Sequence, residues 1–187
     1  MATPRDVAVV VGSLRKGSFS RRIALALAKL APDSLRLTIV EIGALPLYDQ
    51  DLDDEKRPPP EWTAFRARTR SAEAVLFVTP EYNRSVPGVL KNAIDVGSRP
   101  YGQSVWDKKP AAILSNSPGV IGGFGANHHL RQSLVFLNMP TLQQPEAYVG
   151  HAGTLVDDNL VVTNEDTRKF LAGFMTAFAA WIEATAG

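Results

Sequence analysis

The chain has 187 residues, with 20 Lys+Arg against 19 Asp+Glu, a formal net charge of +1 when His is neutral. That length suits one domain with a sizeable core, and that balance gives no reason to expect nucleic acid or an anionic membrane as the main partner. Cysteine is absent, which excludes disulfides, Cys-ligated zinc, iron–sulfur clusters, CxxC redox chemistry and a thiol nucleophile.

Met1 to Asp6 carries an acid and a proline, and Val7 to Val11 is too short for the apolar stretch of an export signal. No run approaches the ~20 apolar residues of a membrane span, so a bacterial-type cytoplasm is the expected compartment. Val7 to Val11 is an apolar, β-branched-rich run closed by Gly12, as in a strand buried on both faces of a parallel sheet. Ile23, Leu27 and Leu30 then recur at helical spacing, and Pro32 stops the helix. Leu35 to Ile42 reads as a second strand. Leu45 to Pro60, rich in Asp and Pro, reads as a long solvated loop, and Trp62 to Ser71 as a short helix. Ala74 to Thr79 is a third buried strand closed by Pro80. Pro87 suits the first position of a helix continued by Leu90, Ala93 and Ile94. Ala111 to Leu114 is a fourth strand, and Gly122 to Gly125 a flexible turn. Leu130, Leu134 and Leu137 mark another helix, and Ala147 to Val149 a weak fifth strand. A last helix opens at Thr163, with Phe170, Phe174, Phe178, Trp181 and Ile182 as its core stripe.

Five strands alternating with five helices predict an α/β, three-layer αβα sandwich around a parallel sheet. At this size the flavodoxin-like order 2-1-3-4-5 is favoured over the larger dinucleotide fold. Such sheets bind ligands beyond the carboxyl ends of their strands, which places chemistry in the loops after strands one, three and four.

The first of these loops, Gly12 to Ser20, offers the hydroxyls of Ser13, Ser18 and Ser20, its own amides and Arg15 to one phosphate, at a helix N-terminus. A capped helix start with solvated serines accounts for the same residues. Gly12 and Gly17 have Walker A spacing, but Ser18-Phe19 stands where that motif needs Lys-Ser/Thr, and no GxGxxG occurs. The second loop, Pro80 to Gly88, holds Tyr82 to cover a planar ring and Asn83 to meet a heterocycle edge, or is simply a rigid surface loop. The third, Ser115 to Gly123, has glycines that permit close backbone approach or merely make turns. His128, His129 and His151 lack metal-ligand spacing, and the Asp49-Asp51-Asp53-Asp54 cluster lacks the Gly and Glu of a calcium loop. No serine sits in a GxSxG elbow.

Taken together, Gly-Ser-Leu-Arg-Lys-Gly-Ser at 12 to 18, Thr-Pro-Glu-Tyr-Asn at 79 to 83 and Ser-Val-Pro-Gly-x-Leu-Lys-Asn-Ala-Ile-Asp at 85 to 95 resemble the NADPH-dependent FMN reductase family. Gly-Val-Ile-Gly-Gly at 119 to 123 and His-Leu-Arg-Gln at 129 to 132 point to its chromate and quinone reductase branch. The similarity runs in register from about residue 7 to 150. The resemblance implies a single flavodoxin-like FMN-binding domain over residues 1–187, with non-covalent FMN and with NADPH or NADH as co-substrate. It assigns Ser13, Arg15, Ser18, Phe19 and Ser20 to the phosphate loop. Pro80, Glu81, Tyr82, Asn83 and Arg84 fall beside the isoalloxazine ring, and Ser117 and Gly119 on its other edge.

The activity implied is hydride transfer from NAD(P)H to FMN, then ping-pong reduction of quinones, metal oxyanions such as chromate, or other acceptors, with no catalytic side chain and no metal. It also implies a homo-oligomer, dimer or tetramer, with the site near the interface. Three residues or segments depart from the family pattern. Ser20 stands where Asn is common, Arg84 where an aromatic or small residue is common, and Phe124-Gly125-Ala126 lacks a charge that some relatives carry. The alternatives are a single-electron flavodoxin-type carrier and a non-catalytic flavin-binding module. Such carriers are usually strongly acidic, and this chain is not.

Overall fold

A computed structural model describes residues 3–185. Arg5–Val11 (β1), Leu35–Val40 (β2), Ala74–Pro80 (β3), Ala111–Asn116 (β4) and Ala147–Val149 (β5) form one parallel sheet in the order β2-β1-β3-β4-β5, the doubly wound order expected from the sequence. Register is set by apolar strands buried on both sides, with Val7 opposite Ala74 and Pro80 opposite Asn116. Alternation along β1 divides the core. Val7, Val9 and Val11 face one layer, whose helices are Phe19–Leu30 (α1) and Glu165–Thr185 (α6). Ala8 and Val10 face the other, made by Pro60–Ser71 (α3), Gly88–Gly97 (α4) and Phe124–Phe136 (α5).

Several local expectations need correction. The Leu45 to Pro60 segment contains a short helix, Gln50–Asp54 (α2), capped by the Asp49 side chain. Asp53 on it is not solvated: its carboxylate is paired with Arg66 at 2.7 and 2.8 Å, and both side chains are under one-tenth exposed. The Arg66 guanidinium lies over Trp62 and donates to the Val96 carbonyl, so the pair ties α2 to α3 and α4. Pro87 is the N-cap of α4 rather than its first helical residue. Gly122 and Gly123 do form a turn, at φ 65° and 78°, but Gly125 belongs to α5.

In the last helix the Asn164 side chain accepts from the Thr167 amide and fixes the start two residues after Thr163. Phe174, Phe178 and Ile182 are buried as expected, and Leu171 and Met175 complete the stripe in place of Phe170 and Trp181. Phe170 is 39% exposed, and Trp181 is half-buried with its indole donating to the Pro140 carbonyl.

Candidate functional site

The loops that follow β1, β3 and β4 meet above the carboxyl edge of the sheet. They enclose a cleft of about 110 Å³ lined by Ser13, Arg15, Phe19, Ser20, Pro80, Glu81, Tyr82, Asn116, Ser117 and Pro118. The structure thus brings most of the residues singled out by sequence into one place. Ser18, Asn83, Arg84 and Gly119 lie outside the lining, and Asn116 and Pro118 of the third loop enter it.

On the first loop, Ser18 caps α1: its Oγ accepts from the Arg21 amide at 3.1 Å. The cap uses a lone pair and leaves the hydroxyl proton available to donate. Arg15 lies 5.6 Å above the centre of the Phe19 ring, and no carboxylate among the described residues is within ion-pair distance of it. Ser20, the second residue of α1, is 1% exposed and meets the Asn116 side chain.

The second loop is a tight hairpin. Tyr82 and Ser85 exchange backbone hydrogen bonds of 3.0 and 2.9 Å around Asn83 and Arg84, whose φ angles are 51° and 62°. Two successive left-handed residues make the mirror-image turn that suits a two-residue hairpin. Asn adopts that conformation readily, whereas Arg is strained in it. The tip therefore stands at the rim, where Arg84 is loosely paired with Glu81 at 3.8 Å. The carboxylate of Glu81 accepts from the Ala126 amide at 3.0 Å, at the start of α5, where a negative charge is favoured. Gly125 makes this possible, because a Cβ there would stand 2.8 Å from the Arg84 carbonyl oxygen and 2.9 Å from the Glu81 carboxylate. Ser85 is tied to the same helix by a 2.9 Å bond between its Oγ and His129 Nδ1.

The third loop is held internally. The Ser117 hydroxyl donates to the Gly119 carbonyl at 2.9 Å, and the Ser117 amide to the Val149 carbonyl at 3.0 Å. Next to it, Phe124, His128 and Tyr148 form an aromatic cluster, with His128 Nε2 2.9 Å from the Tyr148 hydroxyl. Burial, and after it the neighbouring Glu146, push the Tyr148 phenol up to about 12, so it keeps its proton at neutral pH. Around the cleft the three loops expose an apolar rim: Leu14, Tyr82, Val120, Ile121 and Phe124 are each about half exposed or more. Among the described residues no group of three or more His, Asp or Glu is placed to hold a metal, and no helix is long and apolar enough to cross a membrane.

Comparison with known proteins gives this geometry a context. The sequence pattern of the NADPH-dependent FMN reductases matches residues 5–154. A quinone reductase of Pseudomonas putida is 61% identical over 183 residues, covering 98% of this chain and 97% of that protein. A 2-hydroxy-1,4-benzoquinone reductase from Burkholderia sp. is 49% identical over 176 residues, 94% of this chain and 95% of the other. Among solved structures, FerB, a flavoenzyme NAD(P)H:(acceptor) oxidoreductase from Paracoccus denitrificans, superposes with a TM-score of 0.91 at 43% identity, covering 98% of this chain and all of that one. Fold, loop sequence and whole-length similarity agree, and the chain belongs to the NADPH-dependent FMN reductase family.

Proposed function

We propose that this chain is an FMN-dependent NAD(P)H:quinone oxidoreductase whose cofactor lies in the cleft above β1, β3 and β4, and that residues 1–187 act as one FMN-binding domain. The observation that carries the reading is a gathering of donors: Arg15 without an ion pair, the hydroxyls of Ser13 and Ser20 in the same lining, and Ser18 at the start of α1. That chemistry fits a phosphate. The flat surfaces of Pro80, Tyr82 and Pro118 beside it fit a planar ring system.

Bound FMN supplies a two-electron carrier that accepts hydride from NAD(P)H and delivers the electrons to an acceptor in a second half-reaction. The residues of the chain bind and orient. Arg15 and the serines hold the anionic end, and the Glu81–Ala126 bond fixes the 82–85 hairpin against α5. Glu81 is engaged there, so the cleft holds no free carboxylic acid to move a proton, and solvent supplies it. In balance, a quinone takes two electrons and one proton as the hydride equivalent, plus one solvent proton, and gives a hydroquinone and NAD(P)⁺.

The apolar rim of Tyr82, Val120, Ile121 and Phe124 suits a planar, weakly hydrated acceptor, which favours quinones over metal oxyanions such as chromate. Self-association is part of the proposal. A groove of about 720 Å³ between α4 and α5 runs from Ser85 and His129 past Ile94 to Phe136 and Leu137. Beside it Val135 is 76%, Phe136 82% and Tyr101 90% exposed, an apolar face of the kind that oligomers cover. The cytoplasm remains the proposed compartment.

The test is anaerobic. The protein loaded with FMN should bleach on addition of NADPH or NADH and regain its colour when 1,4-benzoquinone is added. Steady-state plots with both substrates varied should give parallel lines. A protein that takes up FMN but leaves NAD(P)H untouched would be an electron carrier instead.

A further inference from the structure

We propose that Asn116 is the positioning residue that makes Ser20 a hydrogen-bond donor toward the FMN phosphate, an inference that rests on the cofactor placement above. Asn116 ends β4, is 1% exposed and reaches across the carboxyl edge of the sheet into the cleft lining. Its Nδ2 is 3.1 Å from the Thr79 carbonyl oxygen and 3.0 Å from Ser20 Oγ. The carbonyl can only accept, which fixes the head of the side chain facing it as the nitrogen. One amide hydrogen is thereby committed to Thr79 and the other to a lone pair of Ser20.

The Ser20 hydroxyl must then direct its own proton elsewhere. Asn116 Oδ1 lies 3.2 Å away, but it belongs to the same planar amide, and one oxygen cannot align well with both of its heads. An anion in the cleft offers a straighter and charge-assisted bond. Ser20 has no such choice if its lone pair is not already used. Ser18, two residues earlier, follows the same logic with the Arg21 amide in place of Asn116. The departure noted in the sequence thus has a structural counterpart: at position 20 a hydroxyl replaces the amide common in the family, and an amide reaches that hydroxyl from position 116.

The test compares FMN with riboflavin, which lacks the phosphate, by titrating each into flavin-free protein and following quenching of flavin fluorescence. Asn116→Ala should weaken FMN binding by about tenfold, as for loss of one hydrogen bond to a charged group, and riboflavin binding by less than about twofold. Asn116→Asp should weaken FMN further. It presents only acceptors to Ser20 and adds a negative charge beside the phosphate. Ser20→Ala should show the same selective loss, and adding Asn116→Ala to it should change the FMN-to-riboflavin ratio no further. Equal losses for the two flavins, or none, would overturn the proposal by making Asn116 merely structural or irrelevant. If the Asn116 variants do not fold, Ser20→Ala decides alone, and an unchanged ratio overturns it. A wild-type protein that binds neither flavin would sink the cofactor placement itself, a result distinct from any of these.

Discussion

The two ends of the sheet treat charge in opposite ways. At the amino ends of the strands Arg5 lies between Glu73 and Glu183, and Asp6 meets Arg68, with Arg36 3.6 Å away. Lys109 donates to the carbonyls of Arg70 and Ala72. A cavity of about 1070 Å³ opens there, yet among the described residues only Lys108 of its charged lining is left without a partner. At the carboxyl ends the cleft is a tenth of that size, and its arginine is left without an ion pair. Volume alone would choose the end opposite to the proposed site. A site is marked by polar groups that the fold has brought together and left unsatisfied.

If that contrast holds, disrupting paired charges should cost the fold, and removing unpaired donors should cost the ligand. The largest effect belongs to the buried pair. Asp53→Ala strands Arg66 among α2, α3 and α4 and should destabilise by about 3–5 kcal/mol in urea unfolding, with FMN affinity unchanged wherever the protein remains folded. Arg15→Ala should do the reverse, weakening FMN binding by roughly 1–3 kcal/mol in a fluorescence titration with no loss of melting temperature. Gly125→Ala brings a methyl against the Arg84 carbonyl and the Glu81 carboxylate. It should cost about 1 kcal/mol of stability and displace the 82–85 hairpin, visible as a changed spectrum of the bound flavin.

The smallest effect is at the amino ends. Glu73 is held below the usual carboxylate range chiefly by Arg5 and then by the Asp6 amide. A depressed carboxyl contributes stability at neutral pH and loses it as the pH falls below about 4 toward its folded value. These groups are exposed, so acid should lower the urea midpoint only slightly, and Arg5→Ala should abolish most of that dependence without touching FMN binding.

What could be read in advance followed from local signals. The runs Val7 to Val11 and Ala74 to Thr79 are buried on both faces, so composition alone disclosed the parallel sheet. The Gly12 to Ser20 loop announced itself by hydroxyls at a helix start. What escaped depended on partners far along the chain. Asp53 looked solvated because its partner Arg66 is thirteen residues away on the next helix. Glu81 lines the cleft, and what its loop did not disclose is that the α5 N-terminus, forty-five residues on, holds its carboxylate. Asn116 left one faint trace, a polar residue closing an apolar strand, and its role depends on Ser20 at the other end of the chain. In the last helix Phe174, Phe178 and Ile182 were legible, whereas the aromatic spacing also drew in Phe170 and Trp181, which lie at the edge of a stripe filled by Leu171 and Met175.

The most direct test of the account is a crystal structure of the protein with FMN. It predicts the phosphate among Arg15 and the serines at the start of α1, with the ring between the Pro80–Tyr82 and Ser117–Pro118 segments. FMN seated instead in the cavity beside Lys109, or in the groove between α4 and α5, would contradict it.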